Sequence, residues 1–137
     1  MSLSDVFNIA GSAMNAQSVR LNVTASNLAN AGSVNGDPSK VYKARQPVFE
    51  SFSSELANQA GVTGVRLSGV VTSEVPLSVQ YRPGHPDANA EGNVYLSNVN
   101  TVEEMVNMLS ASRSYQNNIE LMTTARDLLL QTLSLGR

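Results

Sequence analysis

The sequence predicts a mainly α protein with a small β region: long N- and C-terminal helices paired as a coiled-coil hairpin, with an extended arm and short β-strands between them. Two observations carry this. All five prolines and seven of the nine glycines fall between Gly32 and Gly92, so helix breakers are nearly confined to the middle of the chain. Both ends, by contrast, space their apolar residues by alternating threes and fours, the period of a coiled-coil seam. The 137 residues suffice for one domain. It divides into a helix over 1–31, an arm and β-rich segment over 32–98, and a helix over 99–137, built around one helical-pair core.

In the N-terminal part Leu3, Phe7, Ala10, Met14, Gln17, Leu21, Thr24 and Leu28 mark the seam. A helix from Ser4 to Asn30 would be about 40 Å long at 1.5 Å per residue. Ser2 or Ser4 is the expected cap, and Asp5 suits the positive end of the helix dipole. Gln17 and Thr24 interrupt the seam, either as tolerated polar positions or as residues that fix register or partner.

The C-terminal part repeats the design with Val102, Met105, Leu109, Ser112, Tyr115, Ile119, Met122, Ala125, Leu129 and Leu133. Thr101-Val102-Glu103-Glu104 reads as a capping box, with Thr101 as cap and Glu104 reaching back. Val106, Met108, Leu121, Leu128, Leu130 and Leu135 lie off the stripe and make it broader than one partner helix can cover. The two helices are expected to pair with each other, and the surplus apolar width to meet a neighbouring subunit.

Between them, β-branched content and period-two alternation predict strands over Val65–Thr72, Leu77–Tyr81 and Asn93–Leu96. Residues 31–45 read as an extended arm, 50–62 as room for a short helix, and Arg82–Asn89 as a turn-rich loop. So few large apolar residues make a weak core there, expected to be ordered partly by neighbours.

Composition narrows the function. With 9 Lys+Arg, 11 Asp+Glu and no cysteine, a disulfide framework, a Cys-ligated metal and a cysteine nucleophile are all excluded. A net charge of -2 argues against nucleic acid, which needs clustered cations. Lys40, Lys43 and Arg45, with Tyr42 among them, form one small basic cluster, better read as a partner-binding arm or a solvated loop. Charged residues amount to 15%, against roughly 25% in ordinary soluble domains, and residues 1–36 hold only Asp5 and Arg20. A helix that is polar without charge can touch protein on several sides, because amides and hydroxyls are cheaper to desolvate than ions. No apolar run reaches 18 residues, so no membrane span is expected, and residues 1–20 carry no secretory-signal pattern.

Catalytic constellations are sparse. His85, flanked by Gly84 and Pro86, sits in a surface turn, so a hydrolase centred on it ranks last among the readings. Glu103 and Glu104 are explained by helix capping. Asp87-Ala88-Asn89-Ala90-Glu91 lacks the glycine and distant glutamate of a calcium loop. Met105, Met108 and Met122 at helical spacing suit a core or a subunit interface. No cofactor, metal or catalytic residue is assigned.

Several segments together resemble a known family. Ser26-Asn27-Leu28-Ala29-Asn30 closes the first helix and is followed by an arm ending Tyr42-Lys43-Ala44-Arg45. Ile9–Met14, Gln17–Asn22, Pro83-Gly84-His85-Pro86 and above all Glu104–Gln116 complete a pattern similar to that of bacterial flagellar axial proteins, and within them the basal-body rod proteins of the proximal type. The resemblance spans essentially the whole chain except residues 50–75. Axial proteins commonly continue Asn-Leu-Ala-Asn with Thr-x-Gly-Tyr-Lys; here Ala31–Val41 intervenes before Tyr42-Lys43, which fits the proximal rod rather than the hook or distal rod.

The resemblance implies a non-enzymatic structural subunit, exported by the flagellar type III apparatus without a cleaved signal. It would polymerise helically in the periplasm into the shaft that transmits motor torque. Implied partners are other copies of the chain, the rod proteins FlgB and FlgF, the basal-body protein FliE and the export apparatus. The expected subunit-interface residues are Phe7, Met14, Leu21, Asn27, Asn30, Met105, Leu109, Arg113, Tyr115 and Leu129. Asn27 and Asn30 are expected to satisfy backbone groups at the end of the first helix. The rival reading is a soluble helical-hairpin adaptor that binds a partner helix in its groove.

Overall fold

Helix α1 runs from Leu3 to Asn30 and helix α2 from Thr101 to Leu135. The computed structural model describes residues 3–53 and 63–136. The two helices pack antiparallel, with Arg20 of α1 donating to Asn107 of α2 at 3.3 Å. Between them come β1 (Val34–Asn35), β2 (Arg45–Ser53), β3 (Thr63–Thr72), β4 (Ser78–Tyr81) and β5 (Asn93–Leu96).

The helical pair is as expected, but its contact stripe on α2 is not the apolar one. The positions turned inward are Glu104, Met108, Ala111, Tyr115, Asn118, Met122 and Ala125, all buried or half-buried and spaced by fours and threes. Val102, Met105, Leu109, Ile119 and Leu133 of the expected stripe are exposed. Small residues at the seam, Ala10 on one side and Ala111 and Ala125 on the other, are buried and let the backbones approach closely. The seam therefore runs beside the apolar stripe, sharing Tyr115, Met122 and Ala125 with it.

Two capping expectations are corrected. Asn100, not Thr101, caps α2: its Oδ1 accepts from the amides of Val102 and Glu103 at 3.1 and 3.4 Å. Asparagine is among the strongest N-caps, and it leaves the Glu104 side chain free for another task. α1 begins at Leu3, so Ser4 lies inside its first turn rather than capping it, while Ser2 lies outside the described residues.

The strands expected over 65–72, 77–81 and 93–96 form as β3, β4 and β5. β5 is the centre of a three-stranded antiparallel sheet in the order β1-β5-β4. Val94, at its middle, is fully buried. The arm is extended only in part, since Val34 and Asn35 pair with Leu96 and Tyr95. The long antiparallel hairpin of β2 and β3 was not foreseen on the β2 side. Residues 50–53 end β2 instead of opening a helix, and 54–62 lie outside the described residues. Pro47 masks β2 in the sequence, yet a strand with a partner on one side only tolerates it. A bulge at Val48/Phe49 shifts the register so that Phe49 opposes Leu67.

The hairpin lies on α1. The Val65 amide donates to Ser12 Oγ at 3.2 Å, and Asn27 holds the start of β2. Helix α1 is thus covered by α2 on one side and by β2–β3 on another, while its exposed face, with Ser4, Asn8, Asn15, Asn22 and Ser26, carries no charge.

Candidate assembly interface

Asn27 is the best-anchored of the proposed positions. It is 1% exposed. Its Oδ1 accepts from the Arg45 amide at 2.9 Å and from Tyr42 Oη at 2.8 Å, and its Nδ2 donates to the Arg45 carbonyl at 2.8 Å. The side chain thus behaves as one more strand residue, pairing with both backbone groups of Arg45 across the helix–strand junction. The backbone it satisfies belongs to β2 rather than to the end of α1. Asn30 does bond the helix end, donating to the Ser26 carbonyl at 2.8 Å.

Asn98, absent from the sequence-based set, closes the same junction. Its Oδ1 accepts from the Ala44 amide at 2.8 Å and its Nδ2 donates to the Val75 carbonyl at 2.7 Å. The asparagine-rich run before α2 gave no hint of which member would do this.

Phe7, Met14 and Leu21 are half-buried along α1, and Tyr115 is half-buried on the seam of α2. Met105, Leu109 and Leu129 stand exposed. Arg113, also exposed, borders a shallow groove with Val106, Leu109, Ser110 and Ser114. The expected set thus comprises buried or half-buried positions on α1 and at Tyr115, and exposed positions on the outer face of α2. That outer face continues through Leu128, Leu130, Leu133 and Leu135, the last 86% exposed. Of the two polar seam positions on α1, Thr24 is buried, and Gln17 has a buried Oε1 with no hydrogen-bond partner.

Lys40, Lys43 and Arg45 line one open cleft together with Tyr42. Lys40 lies 3.8 Å from Asp37 and the Arg45 guanidinium stacks 5.4 Å from the Tyr42 ring centroid. His85 accepts from the Asp87 amide through Nδ1 at 3.1 Å, a turn contact. Asn89 Oδ1 takes the amides of Glu91 and Asn93 at 3.0 and 2.8 Å, so the acidic stretch there is turn chemistry. Among the described residues no helix is long and apolar enough to cross a membrane.

Two family patterns match this chain: "Flagella basal body rod protein" over residues 7–36, and "Flagellar basal body rod FlgEFG protein C-terminal" over residues 90–135. The chain is 49% identical to the flagellar basal-body rod protein FlgC of Escherichia coli O6:H1 over 137 residues, covering all of both chains. The belonging is settled by that full-length identity. The chain belongs to the FlgC family of flagellar basal-body rod proteins. The FlgC proteins of Salmonella typhimurium and Yersinia enterocolitica are 49% and 47% identical over the same full length. This rod protein is a structural, non-enzymatic subunit of the flagellum, located in the basal body and assembled with other basal-body components. The two family patterns fall on α1 and on β5 with α2, the parts that form the helical pair.

Proposed function

We propose that the chain polymerises helically as part of the proximal rod and transmits motor torque, with the outer face of α2 as its assembly surface. The observation that carries this reading is the band of exposed large apolar side chains on α2, from Val102 and Met105 through Leu109 and Ile119 to Leu130 and Leu133. A patch of this extent on a soluble chain marks a protein-binding surface. Open helical polymers are built from heterologous contacts, which use different patches of one subunit on its two neighbours. A broad uncovered face beside an already filled seam suits that arrangement.

In this reading Met105, Leu109, Arg113 and Leu129 contact neighbours directly. Phe7, Met14, Leu21, Asn27, Asn30 and Tyr115 hold the pair in the shape that presents them. Segments 1–31 and 99–137 form the assembling core, and 32–98 is carried outside it. The neighbours are other copies and the rod proteins FlgB and FlgF, with FliE at the basal-body end. The subunit reaches the periplasm through the type III export apparatus without signal cleavage.

The test is a set of strains carrying Asn27→Ala, Arg113→Ala or a truncation of the last ten residues, assayed for motility and for the protein in purified basal bodies. Export without incorporation, and loss of swimming, is the expected result for the truncation. Incorporation and motility that survive it would sink the proposal.

A further inference from the structure

Where β2 crosses the helical pair, a cleft of about 340 Å³ opens between Arg20 and Thr24 of α1, Arg45, Pro47 and Phe49 of β2, and Glu103 and Glu104 of α2. Glu104 is the anomaly in it. The residue is 8% exposed, yet among the described residues its carboxylate has no hydrogen-bond donor and no ion-pair partner. Its oxygens still reach water at the cleft, where no donor among the described residues occupies them. Of the two guanidinium groups in the lining, Arg20 donates to Asn107, which also lines the cleft, and Arg45 lies over Tyr42. The cleft thus brings an unpartnered carboxylate and two cationic side chains into one lining.

Resting on the assembly reading above, we propose that this cleft receives the C-terminal part of α2 from a second copy, with the partner copy's Arg126 on Glu104 and its Asp127 toward Arg20 and Arg45. Charge complementarity selects this occupant. Arg126 and Asp127 are adjacent, exposed and, among the described residues, have no ion-pair partner. They offer the two signs side by side that the cleft offers in reverse. Arg113 has no adjacent acid and does not match both signs.

The apolar pattern agrees. Leu129, Leu130 and Leu133 follow Arg126 at three, four and seven residues, on one helix face, and are exposed. This is the anchor spacing of a helix laid in a groove. Pro47 and Phe49 in the cleft, with exposed Met105, Val106 and Leu109 on the adjoining face of α2, supply the surface to cover them. A helix end on one subunit and a cleft at the opposite end of its neighbour make a heterologous contact that repeats without closing.

Two experiments in flagellated cells test this, both read as protein recovered in purified basal bodies. Glu104→Lys and Arg126→Glu are each expected to cut recovery about thirtyfold, as for one partner of a desolvated charge pair. The two together should restore most of it. A doubly substituted chain no better than either single one, though exported normally, overturns the pairing. Because a lysine at position 104 also perturbs folding, the second arm leaves the charges alone. The chain has no cysteine, so Gln46→Cys combined with Leu130→Cys should give disulfide-linked dimers and higher multimers of this chain on mild oxidation of basal bodies. Gln46 borders the cleft beside Glu104, about 40 Å along α2 from Leu130 at 1.5 Å per residue, so a bond within one chain is not available. Assembled protein without these multimers, or cross-linked to a different protein, overturns the proposal. Wild-type protein missing from basal bodies would instead overturn the rod reading itself.

Discussion

Replacing Asn27 by alanine removes three hydrogen bonds at once: two to the Arg45 backbone and one from Tyr42 Oη. At 0.5–1.5 kcal/mol net for each, the loss is about 3 kcal/mol. The Arg45 amide and carbonyl, both paired by Asn27 in the native chain, lose those partners where α1 meets β2. Tyr42→Phe removes only one of the three bonds and should cost about 1 kcal/mol. The assay is a folding titration with trimethylamine N-oxide, which strengthens burial, followed by far-ultraviolet circular dichroism. Asn27→Ala should lower the folding constant about a hundredfold, since 1.4 kcal/mol is tenfold. Adding Tyr42→Phe to Asn27→Ala should cost almost nothing further, because the two share one bond. A loss below about 0.5 kcal/mol for Asn27→Ala, or full additivity of the two substitutions, would refute the view that this side chain ties the helix to the hairpin.

Other perturbations follow from particular contacts. Gly92 has φ +78°, and a Cβ there would meet Tyr81 Cε2 at 2.9 Å and the Pro83 side chain at 3.1 Å, so Gly92→Ala should destabilise by about 1–2 kcal/mol from the left-handed conformation alone, read in the same titration; an unchanged midpoint would remove that argument. Glu50 is held below its ordinary pKa by the hydrogen bond from Arg66 and by its positive charge, the Arg66 Nε to Glu50 Oε1 distance being 2.6 Å. A lowered carboxylate pKa stabilises the fold above its unfolded value and ceases to do so as pH falls through the folded value. The pair is exposed, so the effect is small; an NMR titration of the Glu50 carboxyl should move upward toward the ordinary value in Arg66→Ala, and no movement would dissociate the two groups. A dilute isolated subunit should show no cooperative high-temperature melt by circular dichroism, because its largest apolar side chains are uncovered; a sharp transition well above ambient temperature would contradict this.

The helical pair was legible in the sequence because helix breakers and heptad spacing are both local signals. Which face of α2 met α1 was not legible. Hydrophobicity points to Met105, Leu109 and Leu133, whereas close approach of the two backbones selects the alanines at 111 and 125. Those two demands coincide in a self-sufficient hairpin and part company in a subunit that also has neighbours. The same holds for β2: Pro47, Glu50 and the serines weaken the alternation, and the strand is held by pairing with β3 and by Asn27, neither of which local sequence reveals. Asn100 is masked as a cap in the sequence because Thr101, three residues before Glu104, imitates the capping box. The interface positions expected on α1 follow its seam and are buried or half-buried in the subunit, whereas most of those on α2 follow the same pattern and are exposed.

That division has an energetic meaning. A seam of Ala10, Ala111 and Ala125 with Thr24 and Glu104 buries little apolar area per residue, so it holds two helices at close range without making their pairing strong. The leucines and valines outside it are each worth about 1.5–3 kcal/mol when fully covered, but only a neighbour can cover them. Stability thus resides between subunits more than within them. A chain arranged this way has little reason to remain folded alone and a large gain on joining the end of a growing rod. The unpaired Glu104 follows the same rule in charge rather than area: in the proposed contact its carboxylate gains a cation only from the next subunit. Polar groups left incomplete in the monomer give the contact direction, since an apolar stripe alone would accept many registers while a buried charge accepts few. A shaft that must bear torque needs register at every joint, and these groups supply it.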